Sequence, residues 1–301
     1  MSTIFVATED GVAMFDHDGR ALDVAHEARP ATALGRMRDE VWGVLDAAEL
    51  WHLASNGWSH VADLDDGLRA TCVVGIGTDV LVGSSEARLF RLAGETLDPV
   101  DAFDVAPGRE TWYTPWGGPP DTRSIANWSD DEYVNVHVGG ILRTEDRGDT
   151  WTPTIDIDAD VHQVTTAEGS VLAACAGGLA VSTDRGAAWT YRTDGLDARY
   201  SRAVAVCGDA VLVSASNGPR GGNAAVYRGS LDHGTFERCA DGLPASFDDN
   251  IDTYCLDAFP DGSFAAFGTT EGTVYGSTDQ GGTWGELASG LRPVTRVLVM
   301  P

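Results

Sequence analysis

The chain spells nearly the same eight residues three times: TEDRGDTW at 144–151, STDRGAAW at 182–189 and STDQGGTW at 277–284. A shortened copy, SLDHGTF, occupies 230–236. The shared form is S/T-x-D-x-G-x-x-aromatic. Self-similarity of this kind marks a chain built from stacked copies of one supersecondary unit, which restricts the fold more than any other feature here.

Each octet is preceded by the same pattern. Around the second copy, VHQVTTA, SVLAACA and GLAVS lie ahead of it and WTYRT follows. Short runs rich in β-branched residues, bounded by Gly, Asp and Asn, read as four antiparallel strands per unit. Six such units fall at 40–61, 69–100, 123–154, 162–193, 202–240 and 252–287, the second of them without an octet. The ends supply the remaining pieces: three strands in 4–24 (IFVAT, GVAMF, ALDV) and one in 294–300 (VTRVLVM) that looks like an innermost strand. Together they predict a seventh unit closed by pairing the carboxy-terminal strand with the amino-terminal ones, which removes the open edge. Seven units in 301 residues average about 43 residues each, the length of a propeller blade. The expected fold is therefore all-β: a seven-bladed β-propeller of four-stranded antiparallel blades, a single domain over 1–301. A six-bladed ring with one unit misread is the alternative.

The octets resemble the Asp-box, or BNR, repeat of sialidases, Vps10-type sorting receptors and photosystem II assembly factors. The likeness implies the propeller fold throughout the chain. Within an octet the reading is structural: the carboxylates of Asp146, Asp184 and Asp279 accept backbone N–H groups across the turn between the third and fourth strands, and Gly186 allows a left-handed backbone. Trp189 then folds back between blades.

Charge narrows the partners. The formal net charge is -26, and all 20 basic residues are Arg. Such a surface repels itself at low ionic strength and is relieved by counterions, as in proteins of salt-accumulating cytoplasm. Nucleic acid and anionic membranes, which need basic patches, are not expected partners. The start, MSTIFVATEDG, lacks the features of a secretory signal, so a cytoplasmic monomer is the expectation. The five cysteines have no C-x-x-C spacing and read as buried thiols, with neither a zinc site nor any cofactor called for.

Two loops stand out, WYTPWGGPPDTR at 112–123 and NGPRGGN at 217–223, both on the face opposite the octets. On that face the starts of the innermost strands align as EVWGV, RSIAN, HQVTT, RAVAV, YCLDA and RVLVM. The alignment places Glu40, Arg123, His162, Arg202, Tyr254 and Arg296 at equivalent positions, with Arg69 or Thr71 completing the series. Roofed by Trp116 and the 217–223 loop, this set is the candidate ligand site at the channel mouth. Three guanidiniums favour a carboxylate or phosphate on a small molecule or on a protein partner. The other reading is a structural ion-pair network with Asp121, Asp160, Asp248 and Asp252.

The sialidase likeness would give the Arg set to a substrate carboxylate, Tyr254 or Tyr200 to the nucleophile and Glu40 to its base. The Arg-Ile-Pro signature of those enzymes is missing, however, and they have six blades. The assembly-factor likeness implies a binding or scaffold module with an Arg-bearing surface for a protein partner. That reading leads, with a sialidase-like glycoside hydrolase acting on an acidic glycan as the alternative.

Overall fold

The computed structural model describes residues 2–22, 29–54, 57–65, 67–232 and 234–301. It contains six four-stranded antiparallel sheets, and a seventh in which strands Gly11–Asp16, Thr3–Thr8 and Arg296–Met300 lie side by side. This is the seven-bladed β-propeller. Numbered from the first complete blade, blades 1 to 6 cover residues 31–63, 70–99, 122–153, 161–192, 200–238 and 256–288. Blade 7 joins the two ends of the chain: Thr3 lies opposite Met300, and Ala7 opposite Arg296. Its expected fourth strand at 21–24 lies partly outside the described residues, although Ala21 bridges Phe15. By contact the chain divides into two compact units, one of Met1–Ala31, Ala176–Leu179 and Tyr191–Pro301, the other of Thr32–Cys175 and Ala180–Thr190.

The second strand of a blade reads as an unbroken apolar run because both of its faces are covered. Ala210–Ser216 is buried at every position, and Ser170–Cys175 at all but its first. Outermost strands contribute little: Thr152–Pro153 and Glu237–Arg238 have two residues each. The core lies between neighbouring sheets. In the second unit Trp42, Leu50 and Val73 pack with Phe90; in the first, Leu212, Val226 and Phe267 pack with Trp284.

The octets form the turns the sequence suggests. Ala188 N–H donates to Asp184 Oδ1 at 2.9 Å, the Ser182 hydroxyl donates to the same oxygen at 2.8 Å, and Gly186 N–H returns to Ser182 Oγ at 2.8 Å. The same set recurs about Asp146 and Asp279, where Thr150 and Thr283 also donate their hydroxyls. The middle residue adopts a left-handed backbone as well as the glycine: φ is 60° at both Arg147 and Arg185. Trp151 and Trp284 are buried and donate their indole N–H to Gly148 and Gly281 of their own turns, whereas half-buried Trp189 reaches Thr154 of the preceding blade at 2.7 Å.

A second device ties two of the turns, those that end at Phe236 and Trp284, to the blade before them. Phe236 N–H donates to Asp194 O at 2.8 Å, and Trp284 N–H to Asp241 O at 3.0 Å. The acceptor in each case opens an Asp-Gly-Leu segment that follows an outermost strand. The backbone approaches so closely that a Cβ on Gly195 would lie 1.9 Å from Phe236 O, and one on Gly242 1.7 Å from Trp284 O.

Candidate functional site

In four blades the innermost strand breaks register within its first residues. The breaks fall between Ala70 and Cys72, Thr122 and Ser124, Val161 and Gln163, and Ser201 and Val204. A bulge takes a residue out of the ladder and re-aims its side chain. Thr71, Arg123, His162 and Arg202 occupy these bulges, so the alignment of strand starts has a backbone cause. Thr71 fills the blade 2 place, its hydroxyl donating to Thr122 O. Arg69 lies ahead of the strand, 3.9 Å from Asp121.

Glu40 does not belong to the series. The innermost strand of blade 1 is Ala31–Met37, and Glu40 opens the second strand, Glu40–Leu45, with its carboxylate 3.5 Å from His52 Nε2. ATALGRM carries the weak alternation of the other innermost strands, whereas EVWGVL is the stronger apolar run, as second strands are. The stronger run drew the alignment to the wrong strand.

In the first unit, Arg202 is held on several sides. Its Nη1 meets both oxygens of Asp252 at 3.0 and 3.2 Å, its Nη2 reaches Pro219 O at 3.4 Å, and its guanidinium lies over the Tyr200 ring. The 217–223 loop that supplies Pro219 is itself fixed: Asn250 donates to Gly218 O and Pro219 O, and Gly222 N–H to Asp248 O. Tyr254, at φ 60°, precedes the innermost strand of blade 6, and Arg296 lies over its ring at 5.9 Å. The structure thus brings Arg202 together with Asp252 and the loop, and Arg296 together with Tyr254.

In the second unit, His162 is wholly buried and faces a partner that sequence reasoning counted only as a possible salt bridge to Arg. Asp160 Oδ2 lies 3.6 Å from His162 Nε2, and Asp160 Oδ1 lies 3.3 Å from the Nε2 of His137. Burial pushes the Asp160 carboxyl up, but hydrogen bonding and charge from His137 and His162 outweigh it and hold the group far below the ordinary carboxylate range. His137 follows the second strand of blade 3, with its N–H on Asp121 O, and the Trp116 ring lies 5.1 Å from the imidazole. The 112–121 segment is shaped locally by the Thr114 hydroxyl, which donates to Gly117 O at 2.8 Å, leaving Trp116 73% exposed. His137 went unnoticed because it sits in a turn, VHVGG, outside the strand-start alignment.

The remaining titratable groups of note are thiols. Burial pushes Cys207 and Cys239 up to about 11 and Cys255 up to about 12, which makes them inert at neutral pH. Among the described residues no helix is long and apolar enough to cross a membrane.

No protein-family model and no curated protein matches the sequence. Solved structures do match by shape. The chain is similar to YCF48 from Cyanidioschyzon merolae, with a TM-score of 0.59 and 14% identity over 87% of each chain. It is similar to YCF48 bound to D1 peptide, with a TM-score of 0.60 and 13% identity over 87% of this chain and 84% of that one. It is also similar to the GH74 xyloglucanase of Xanthomonas campestris, with a TM-score of 0.59 and 14% identity over 85% of this chain but only 45% of the enzyme. Identities this low establish a shared β-propeller fold, one that serves peptide binding in one neighbour and glycan hydrolysis in another.

Proposed function

We propose that the chain is a binding or scaffold module of the Asp-box kind, folding as one monomeric cytoplasmic domain that captures a protein segment carrying an apolar side chain beside a carboxylate. The observation that carries this reading is the placement of exposed apolar groups. Of the five large hydrophobic side chains exposed among the described residues, Val105, Tyr113 and Trp116 fall in the single connection between blades 2 and 3. Exposed apolar side chains gathered in one connection support an interaction surface there. The connection leads directly into Arg123 at its bulge, and this reading assigns that guanidinium to the partner's anionic group. Arg296, stacked on Tyr254, offers a comparable contact in the other unit. Arg202 serves structure in this reading, because Asp252 already takes its Nη1.

A net charge of -26 repels an acidic partner at long range, so binding strengthens as salt screens that field until the short-range forks themselves weaken.

The test is selection of displayed random peptides on the immobilised protein in high-salt buffer, repeated with Trp116→Ala and Arg123→Ala. Enrichment of peptides pairing an aromatic with Asp, Glu or a free carboxy terminus, lost in both variants, is the expected result. Turnover of an acidic aryl glycoside by the wild type would overturn the reading in favour of a hydrolase. Peptides that bind both variants as well as the wild type would displace the site.

A further inference from the structure

We propose that His137, Asp160 and His162 form a binding site for one divalent transition-metal ion of the zinc class. The three side chains each offer a ligand atom, and those atoms lie within 4.8 Å of one another. Both imidazoles turn Nε2 toward the same carboxylate, at 3.3 and 3.6 Å. Ligands about 2.0 to 2.1 Å from a tetrahedral ion stand roughly 3.3 to 3.4 Å apart, a spacing that His137 Nε2 already has to Asp160 Oδ1, while His162 Nε2 faces the other oxygen of that carboxylate.

The backbone sets this arrangement from three places. His137 is held in the turn after strand Asp131–Val136, its N–H on Asp121 O and the next residue, Val138, left-handed at φ 49°. Asp160 closes the short 3-10 turn Ile157–Ala159 with φ 48°, ψ 67°, an uncommon conformation for a residue with a side chain. His162 stands at the register break of the following strand. Residues two apart share a face in a regular strand, and the left-handed aspartate and the bulged histidine re-aim their side chains from that starting point toward His137.

Donor chemistry selects the ion. Two imidazoles and one carboxylate favour zinc, cobalt, nickel or ferrous iron over magnesium and calcium, which take all-oxygen shells. His162 is wholly buried and His137 is 8% exposed, so the nitrogens are shielded from bulk water, while Asp160 supplies the charge that offsets the cation. Three protein ligands leave one tetrahedral position for water or for an exchangeable group from a partner. Metal binding requires no partner segment, so the site stands or falls separately from the binding function proposed above.

The experiment uses the full chain freed of metal by a chelator and titrated with Co2+ in molar KCl with excess Mg2+, which suppresses diffuse binding to the acidic surface. One equivalent should bind, with the intense visible d–d absorption of a four-coordinate ion, and Zn2+ should displace it and raise the melting temperature. His137→Gln and Asp160→Asn should each weaken Co2+ binding by at least about 100-fold. Folding of the variants is verified by circular dichroism, and His162→Gln replaces either one that fails to fold. No saturable binding by the wild type, or undiminished binding by two folded variants, would overturn the site.

Discussion

Arg202 gives one guanidinium nitrogen to both carboxylate oxygens of Asp252, at 3.0 and 3.2 Å, while its own side chain is 13% exposed and that of Asp252 is 44% exposed. The two partners are therefore not equivalent. Removing the carboxylate leaves a mostly buried cation without its counter-charge, a costly state even though the aspartate side of the pair is partly screened by water. Asp252→Asn is expected to lower unfolding free energy by about 1 to 2 kcal/mol, read from the shift in urea midpoint. A change below about 0.5 kcal/mol would show that solvent already satisfies Arg202.

The octets give a sharper contrast. In Asp184→Ala the acceptor for Ala188 N–H and the Ser182 hydroxyl disappears, whereas Asp184→Asn keeps an oxygen in place. The alanine variant should melt a few degrees lower than wild type, roughly as expected for one or two lost hydrogen bonds in a chain of this size, and the asparagine variant should fall between them. Peptide and metal binding should be untouched in both, because the octets lie on the opposite face of their blades. Equal melting of the two variants would mean that charge, and not the acceptor geometry, matters at this turn.

The pH dependence has a defined sign. Hydrogen bonds from the Thr150 and Thr144 hydroxyls and from Thr150 N–H lower the Asp146 carboxyl from its ordinary 3.8 to about 2. A group depressed in the folded state adds stability that is complete above the unfolded value, near 4, and is lost as pH falls through the folded one. The stability difference between wild type and Asp146→Asn should thus be constant above about pH 4.5 and shrink toward pH 2. Denaturant midpoints across that interval measure it, and a difference that grows on acidification would contradict the assignment.

Much of this was legible in the sequence, and the part that was not has physical causes. The octets announce themselves because a turn needing an acceptor at one residue and a left-handed backbone two residues later tolerates few alternatives, as at Asp184 and Gly186. The closure of blade 7 followed from an orphan strand at each end. The blade 1 innermost strand was missed because Ala31–Met37 is less apolar than its neighbour, so Glu40, which opens the second strand, was set in a place that belongs to the first. His137 and Asp160 were illegible as a pair because 22 residues lie between them and only the approach of two blades brings them together. The Asp-Gly-Leu segments at 194–196 and 241–243 were a visible signal passed over, since their role lies in the next blade's turn.

Those segments yield a prediction of their own. Gly242 has φ +80°, and a Cβ there would lie 1.7 Å from Trp284 O. Gly242→Ala must displace the turn that carries Trp284, and a loss of at least about 2 kcal/mol is expected from backbone strain and disturbed core packing. Gly290→Ala, at φ +75° with no atom within 4 Å of the added carbon, should cost less. Reversal of that order in thermal melts would refute the steric account.

Ionic strength should act on the whole molecule. With a net charge of -26 and cations that are all arginines, self-repulsion is relieved by counterions over distances of about 10 Å at 0.1 M salt and less at higher concentration. Melting temperature is expected to climb between dilute buffer and molar KCl. A flat profile would show that the acidic groups are already balanced by local arginine pairs such as Arg143 with Asp131.

The pairing of Thr3–Thr8 with Arg296–Met300 also fixes an order of events at the ribosome. Thr295 bonds to Ala7 across 288 residues of chain, so strand Thr3–Thr8 has one edge with no partner until the six complete blades have been made. For all that time an apolar strand with free N–H and C=O groups is available to any other nascent chain. The interval between the synthesis of Thr3–Thr8 and that of Arg296–Met300 is therefore a period in which this protein is exposed to misassembly, and a slower translation rate lengthens it.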